Sequence, residues 1–255
     1  MNRIDSIRRL RSKLLRGEVS IGSWMQIPNT SVAEIMGQAG YEWVVVDMEH
    51  GAIGHNQLPD IFRALELGGT LPLARIAEGQ AKDCKQALDA GAGGIIVPMI
   101  ESAQQLREIR EYCSWPPSGL RGVGFSRANL FGKRFGEYSV EAQSPILIAM
   151  IENMAAVEDL ESILKVGGLD AILVGPYDLS ASLGLTGQFD HVKFKGLIKK
   201  IGEMARAASI SAGFHVVEPS HDEVNDRISE GYRFLAYSID AVMLRKTVED
   251  RPTVK

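Results

Sequence analysis

Short apolar runs recur along the chain at fairly even intervals, and stretches with helical periodicity lie between most of them. The runs fall at residues 21–27, 43–47, 71–76, 94–99, 146–151, 171–174, 211–216 and 234–239. Val44-Val45-Val46 and Ile95-Ile96-Val97 are apolar at consecutive positions, so both faces of those strands must be covered, as in a parallel sheet. Amphipathic patterns predict helices over 31–38, 58–67, 81–90, 103–112, 155–165, 193–208 and 223–230. Gly40, Gly91, Gly167 and Gly231 close several of them, where a left-handed residue commonly ends a helix. Eight strands alternating with helices predict an α/β protein, a closed (β/α)8 TIM barrel rather than an open sheet. A helix over 3–15 precedes the first strand and is expected to cap the barrel floor.

One interval breaks the rhythm. Residues 114–145 separate the fourth and fifth strands by more than a connecting helix needs, and are expected to form a structureless functional or interface insertion. Its Arg121, Arg127 and Arg134 could meet an acidic substrate, a neighbouring subunit or only solvent. The length of 255 residues suits one barrel, so a single domain over 1–255 is expected. Lys plus Arg number 28 and Asp plus Glu 32, with no long basic tract, which disfavours nucleic acid as a partner. No apolar run reaches bilayer length and the N-terminal residues lack a signal-peptide core, so a cytoplasmic protein without a membrane partner is expected. Cys84 and Cys113 fall on helical patterns outside any metal or redox spacing and read as buried, idle thiols.

In a barrel of this type chemistry sits at the C-terminal ends of the strands. The second strand ends in Asp47-Met48-Glu49-His50, the third in Arg75 and the fifth in Glu152-Asn153. The sixth runs into Gly175-Pro176-Tyr177-Asp178, and the seventh and eighth carry His215, Glu218, Ser238 and Asp240. Glu152 and Asp178, on adjacent strands, could bind a hard divalent ion such as Mg2+, Mn2+ or Co2+ through oxygen, or could form a rim ion pair with other side chains. A 2-oxo acid chelated to such an ion is set up for enolate formation. Arg75 would then place positive charge beside the developing enolate oxygen, unless it is only a structural partner of Asp47 or Glu49. His50, oriented by a carboxylate such as Asp47, could move the proton. If a helix begins after Pro176, the amides of Tyr177 and Asp178 could receive the substrate carboxylate, with Tyr177 lining the pocket. His215 reads as an inward, hydrogen-bonded packing residue. A Schiff-base mechanism needs a lysine in the mouth, and none of the predicted strands contains one. The loops after the seventh and eighth strands lack a glycine pair, which disfavours a phosphorylated substrate.

Asp47–His50, GAGGIIVPM at Gly91–Met99, Arg121-Gly122-Val123-Gly124, Ile151-Glu152-Asn153 and GPYDLSASLG at Gly175–Gly184 together resemble the HpcH/HpaI aldolases. These are metal-dependent pyruvate aldolases of the phosphoenolpyruvate/pyruvate barrel superfamily, and the resemblance runs from about Gly22 to Leu244. It implies that Glu152 and Asp178 ligate the metal, that Arg75 contacts the enolate oxygen and that His50 works with Asp47 in proton transfer. It also implies that Asp89 is delivered to the active site of an adjacent subunit. Hexamers built as trimers of dimers, with the helix after Asp240 swapped between subunits, follow from the same likeness. The chain departs from the family pattern at Met150, where many members carry glutamine. The implied reaction is reversible cleavage of a 4-hydroxy-2-oxo acid, such as 4-hydroxy-2-oxoheptanedioate or 2-dehydro-3-deoxyglucarate, to pyruvate and an aldehyde. Two other readings stay open: a carbon–carbon lyase acting on a CoA thioester of the citramalyl or malyl type, and a barrel kept only for binding.

Overall fold

The computed structural model describes residues 2–252. Within them eight parallel strands close into one barrel, each hydrogen-bonded to the next in chain order and the last to the first. They are β1 (Ser20–Met25), β2 (Trp43–Asp47), β3 (Leu71–Arg75), β4 (Gly94–Val97), β5 (Ile146–Ile151), β6 (Ala171–Val174), β7 (Ser211–Val216) and β8 (Phe234–Tyr237). Every predicted strand is present. β1, β3, β4 and β8 end one or two residues early, because their last predicted positions turn out of the ladder into the loops that form the mouth.

The helices lie where periodicity places them, with one division. The stretch expected as one helix over 155–165 forms two, Met154–Glu158 and Leu160–Ile163, with Asp159 at the junction. Asp159 accepts a hydrogen bond from Ala103 N at 2.7 Å and so ties the break to the neighbouring helix. Gly91 takes φ +105° and ends the helix Ala81–Ala90, a conformation in which any Cβ would be strained. After Ile163 the positive φ falls on Gly168 and not on Gly167. The N-terminal helix Arg3–Leu15 caps the floor as expected. Its Ile7, Leu10 and Leu14 join the core inside the barrel, and Leu14 O accepts from Ser211 Oγ at 2.8 Å.

The insertion is not structureless. It carries a 3-10 turn at Arg127–Asn129 and a helix at Phe135–Glu141, folded around a small core of Trp115, Ala128, Tyr138 and Ala142. Proline, glycine and polar residues concealed that core, because its four apolar residues have no regular spacing. No helix among the described residues is long and apolar enough to cross a membrane.

Candidate active site

Alternation along the strands decides which side chains reach the mouth. Trp24, Val45, Leu73, Met150, Leu173 and Ala236 belong to the apolar core inside the barrel. Two residues further along each chain segment stand Gln26, Asp47, Arg75, Glu152, Gly175 and Ser238. A largely polar ring therefore sits on an apolar plug, at the C-terminal ends of the strands.

On the β1–β3 arc Asp47 and Arg75 are matched to each other. Arg75 Nε donates to Asp47 Oδ1 at 2.9 Å and Nη2 to Oδ2 at 2.6 Å, a bidentate pair between buried residues. Asp47 Oδ2 also accepts from Gln26 Nε2 at 2.8 Å, and Oδ1 from the amides of Glu49 and His50 at 3.1 and 3.2 Å. Burial alone would raise the Asp47 carboxyl, but Arg75 and Gln26 hold it below the ordinary carboxylate range. Arg75 lies over Trp24, 5.1 Å from the ring, and His215 stacks on the same indole at 4.6 Å. His215 is inward and hydrogen-bonded to Ser238 O at 3.2 Å, as expected. Burial pushes its imidazole down to about 4, so the ring is neutral at pH 7.

The β5–β6 arc is different. Glu152 is 2% exposed, and one of its oxygens accepts from Met99 N at 2.6 Å. Met99 reaches that geometry with φ +48°, a left-handed conformation that costs a non-glycine residue roughly 1–2 kcal/mol. The other oxygen, Oε2, is buried without a hydrogen-bond partner. Gly175 backs onto it: a Cβ there would lie 2.6 Å from Glu152 Oε2. Burial, and then the charges of Glu49 and Asp178, push the Glu152 carboxyl up to about 7. Glu49 is also raised, by burial first; its Oε2 lies 2.7 Å from Arg75 Nη1 without hydrogen-bond alignment. A buried carboxylate raised by its acidic neighbours and left with one oxygen unmatched is a donor that a hard cation would satisfy. Glu152 and Asp178 could hold it, leaving further positions to water and substrate. No preformed group of three or more His, Cys, Asp or Glu ligands occurs among the described residues.

The remaining residues divide. His50 is exposed on the loop after β2, and its imidazole makes no hydrogen bond among the described residues. Asp47 holds the His50 backbone instead of orienting the ring, because both carboxylate oxygens are already taken. Tyr177 and Asp178 lie in the first turn of the helix Pro176–Ser182, whose first amides have no intrahelical acceptor. The Tyr177 ring is 43% exposed and packs edge-on against Phe189 at 5.0 Å. Asp89 does not join the site within this chain. It sits at the C-terminal end of Ala81–Ala90, towards the barrel floor, 3.3 Å from Arg121 Nη1. Arg121 is not a substrate arginine here: it is buried between Trp115 and Tyr138 and donates to the Tyr138 hydroxyl at 3.0 Å. Arg127 pairs with Glu66 at 2.6 Å, and Arg134 lies 4.0 Å from Glu137. Sequence reasoning missed Gln26 and Trp24, which the alternation of β1 would have revealed. Glu49, expected only as an alternative partner of Arg75, does lie against it and also raises Glu152 as a third carboxylate. The Met99 amide was missed, and the sequence holds no signal for it.

The chain is similar to known aldolases in sequence and in fold. The family described as HpcH/HpaI aldolase/citrate lyase matches residues 20–247. A hydroxypyruvate/pyruvate aldolase of Roseobacter denitrificans is 36% identical over 245 residues, 93% of each chain. A 2-keto-3-deoxy-L-rhamnonate aldolase of Klebsiella pneumoniae is 35% identical over 93% of this chain and 89% of its own. A crystal structure of an HpcH/HpaI aldolase/citrate lyase family protein from Burkholderia cenocepacia superimposes with TM-score 0.89 at 28% identity, covering 94% of this chain and 96% of that one.

Proposed function

The chain belongs to the HpcH/HpaI aldolase/citrate lyase family and is a carbon–carbon lyase of the aldolase type, and from that premise we propose a reaction and a set of residue roles. The reaction is reversible cleavage of a 4-hydroxy-2-oxo acid to pyruvate and an aldehyde. The observation that carries it is the buried, unmatched oxygen of Glu152 beside Asp178, opposite the Arg75 guanidinium. Members of the family generally depend on a divalent metal. Glu152 and Asp178 would hold it, as Mg2+, Mn2+ or Co2+, and it would supply Lewis-acid polarisation of a 2-oxo acid carbonyl.

The chain's own residues account for the rest. In cleavage the 4-hydroxyl loses its proton and the C3–C4 bond breaks. The electron pair passes through C3–C2 to the carbonyl oxygen, leaving an aldehyde and an enolate that is then protonated at C3. Arg75, clamped by Asp47, presents fixed positive charge where the enolate oxygen develops. His50, exposed at the mouth and without a side-chain partner, moves the proton. The unpaired amides of Tyr177 and Asp178 receive the substrate carboxylate. Asp89, remote from its own mouth, serves the site of an adjacent subunit.

That last role needs an oligomer, and the surface supports one. The helix Asp240–Glu249 exposes Leu244 and Val248. Beside β1 and β8 a groove lined by Ile21, Tyr41, Val224 and Tyr237 lies where a terminal helix could pack. A hexamer assembled as a trimer of dimers that exchange this helix is the proposed state.

Proton exchange tests the chemistry directly. With Mn2+ or Mg2+ the protein is expected to exchange the methyl protons of pyruvate with D2O, and EDTA to abolish it. Absence of exchange under every divalent ion tried would overturn the reading.

A further inference from the structure

Besides Arg75, the Asp47 carboxylate is held at Oδ1 by the amides of Glu49 and His50, but at Oδ2 only by Gln26. An aspartate carboxylate turns about its last torsion over a broad range, so a bidentate arginine does not by itself fix its plane. Oδ2, which takes Arg75 Nη2 at 2.6 Å, also takes Gln26 Nε2 at 2.8 Å from a different strand end. An ionised carboxylate only accepts, so the Gln26 carboxamide must present its NH2 group here. The main chain of Gln26 is itself held. Its N–H donates to Asp240 Oδ1 at 2.8 Å, and the next amide, Ile27 N, donates to Asp240 Oδ2 at 3.0 Å. Asp240 is 6% exposed and also accepts from Ala241 N at 2.7 Å, at the start of the last helix.

We propose that Gln26 is a positioning residue for the reaction: its carboxamide locks the plane of the Asp47 carboxylate and thereby the direction in which Arg75 presents its guanidinium. The inference rests on the role proposed above for Arg75. Asp240 anchors the backbone that aims Gln26, Gln26 aims Asp47, and Asp47 aims Arg75. Gln26 touches no reacting atom. Its contribution is to keep the guanidinium in register, where a displacement on the order of 1 Å can cost a hundredfold in rate.

The test uses the full-length, Mn2+-loaded protein and two variants. Gln26→Leu is expected to lower kcat roughly tenfold, with KM changed by less than about twofold. Mn2+ affinity should stay at the wild-type value. Gln26→Glu supplies a carboxyl against Asp47, which Arg75 grips, with Asp240 bonded to the backbone at this position. The other titratable groups on the surrounding elements are Glu49 and His50 on the loop after β2 and His215 on β7. Protonated, the new carboxyl donates as the amide does; ionised, it repels Asp47. Its rate relative to wild type should therefore fall as pH rises, a limb that Gln26→Leu lacks. Wild-type kcat in Gln26→Leu, or a relative rate of Gln26→Glu independent of pH, overturns the inference. If Gln26→Leu does not fold, the pH profile of Gln26→Glu decides alone. Arg75→Met separates the two readings: a slow Arg75→Met beside a fast Gln26→Leu removes only the role of Gln26. A fast Arg75→Met removes the proposed role of Arg75 as well.

Discussion

The two arcs of the barrel mouth use the same kinds of residue and are finished to different degrees. Between β1 and β3 both oxygens of Asp47 are engaged, by Arg75, Gln26 and two amides, and the carboxyl is held below its ordinary range. Between β5 and β6 Glu152 has one strong donor, from Met99, and one buried oxygen with none, and its carboxyl rises to about 7. Burying a charge is costly unless it is matched. The Asp47 carboxylate is matched by the fold itself, whereas Glu152 keeps one oxygen that no described side chain or amide matches. The contrast is what supports the proposal that Glu152 and Asp178 hold a cation.

The sharpest way to break this contrast is to change each arc in turn. Glu152→Gln or Asp178→Asn should lower pyruvate proton exchange by more than about a thousandfold and weaken Mn2+ binding with it. Wild-type Mn2+ affinity in both variants, read by titration, would remove the assignment of the second arc. Arg75→Met should slow exchange by roughly a hundred- to a thousandfold while leaving Mn2+ affinity near wild type. If that substitution weakens metal binding as much as the carboxylate changes do, the arcs are not separate in function.

Two pH effects sharpen the same comparison. The Glu152 carboxyl is raised in the fold above its unfolded value, so the folded state holds the extra proton between about pH 4.5 and 7. Stability without metal should therefore fall through that window as pH rises. Mn2+ binding at pH 6 should release close to one proton, and much less at pH 8.5. Calorimetry in buffers of different ionisation enthalpy measures this, and equal release at both pH values would contradict it. The smallest effect belongs to His215, whose folded value of about 4 lies below the ordinary 6.5. There the unfolded state holds the extra proton, so stability is lost as pH falls from about 6.5 to 4. His215→Gln should flatten that part of the melting profile by a degree or a few, on the order expected for a domain of this size.

The legible and illegible parts of the molecule differ by how local their causes are. β2, with Val44-Val45-Val46, and β5, an unbroken apolar run from Ile146, were readable because a strand covered on both faces has a compositional signature. The split at Asp159 was not readable, since the bond that stabilises it comes from Ala103 on another helix. Nor was the small core of the insertion, whose Trp115 and Tyr138 are far apart in sequence and close their packing around Arg121. At the mouth, Asp47, Arg75, Glu152 and Asp178 could be named from their place at strand ends. That Asp47 serves Arg75 and not the His50 ring could not, because it depends on which donors the closed barrel brings within bonding distance.

The order of residues along the chain alone determined the barrel, its strand ends and the acidic and basic groups offered there, since hydrophobic periodicity and turn chemistry act over a few neighbouring residues. Only the closed tertiary structure decided that positions 26, 47, 75 and 240 share one chain of hydrogen bonds and that Glu152 keeps an unmatched oxygen. Closure brings strands distant in sequence within bonding reach and excludes water, and these two changes alone turn a row of ordinary side chains into differently charged arcs.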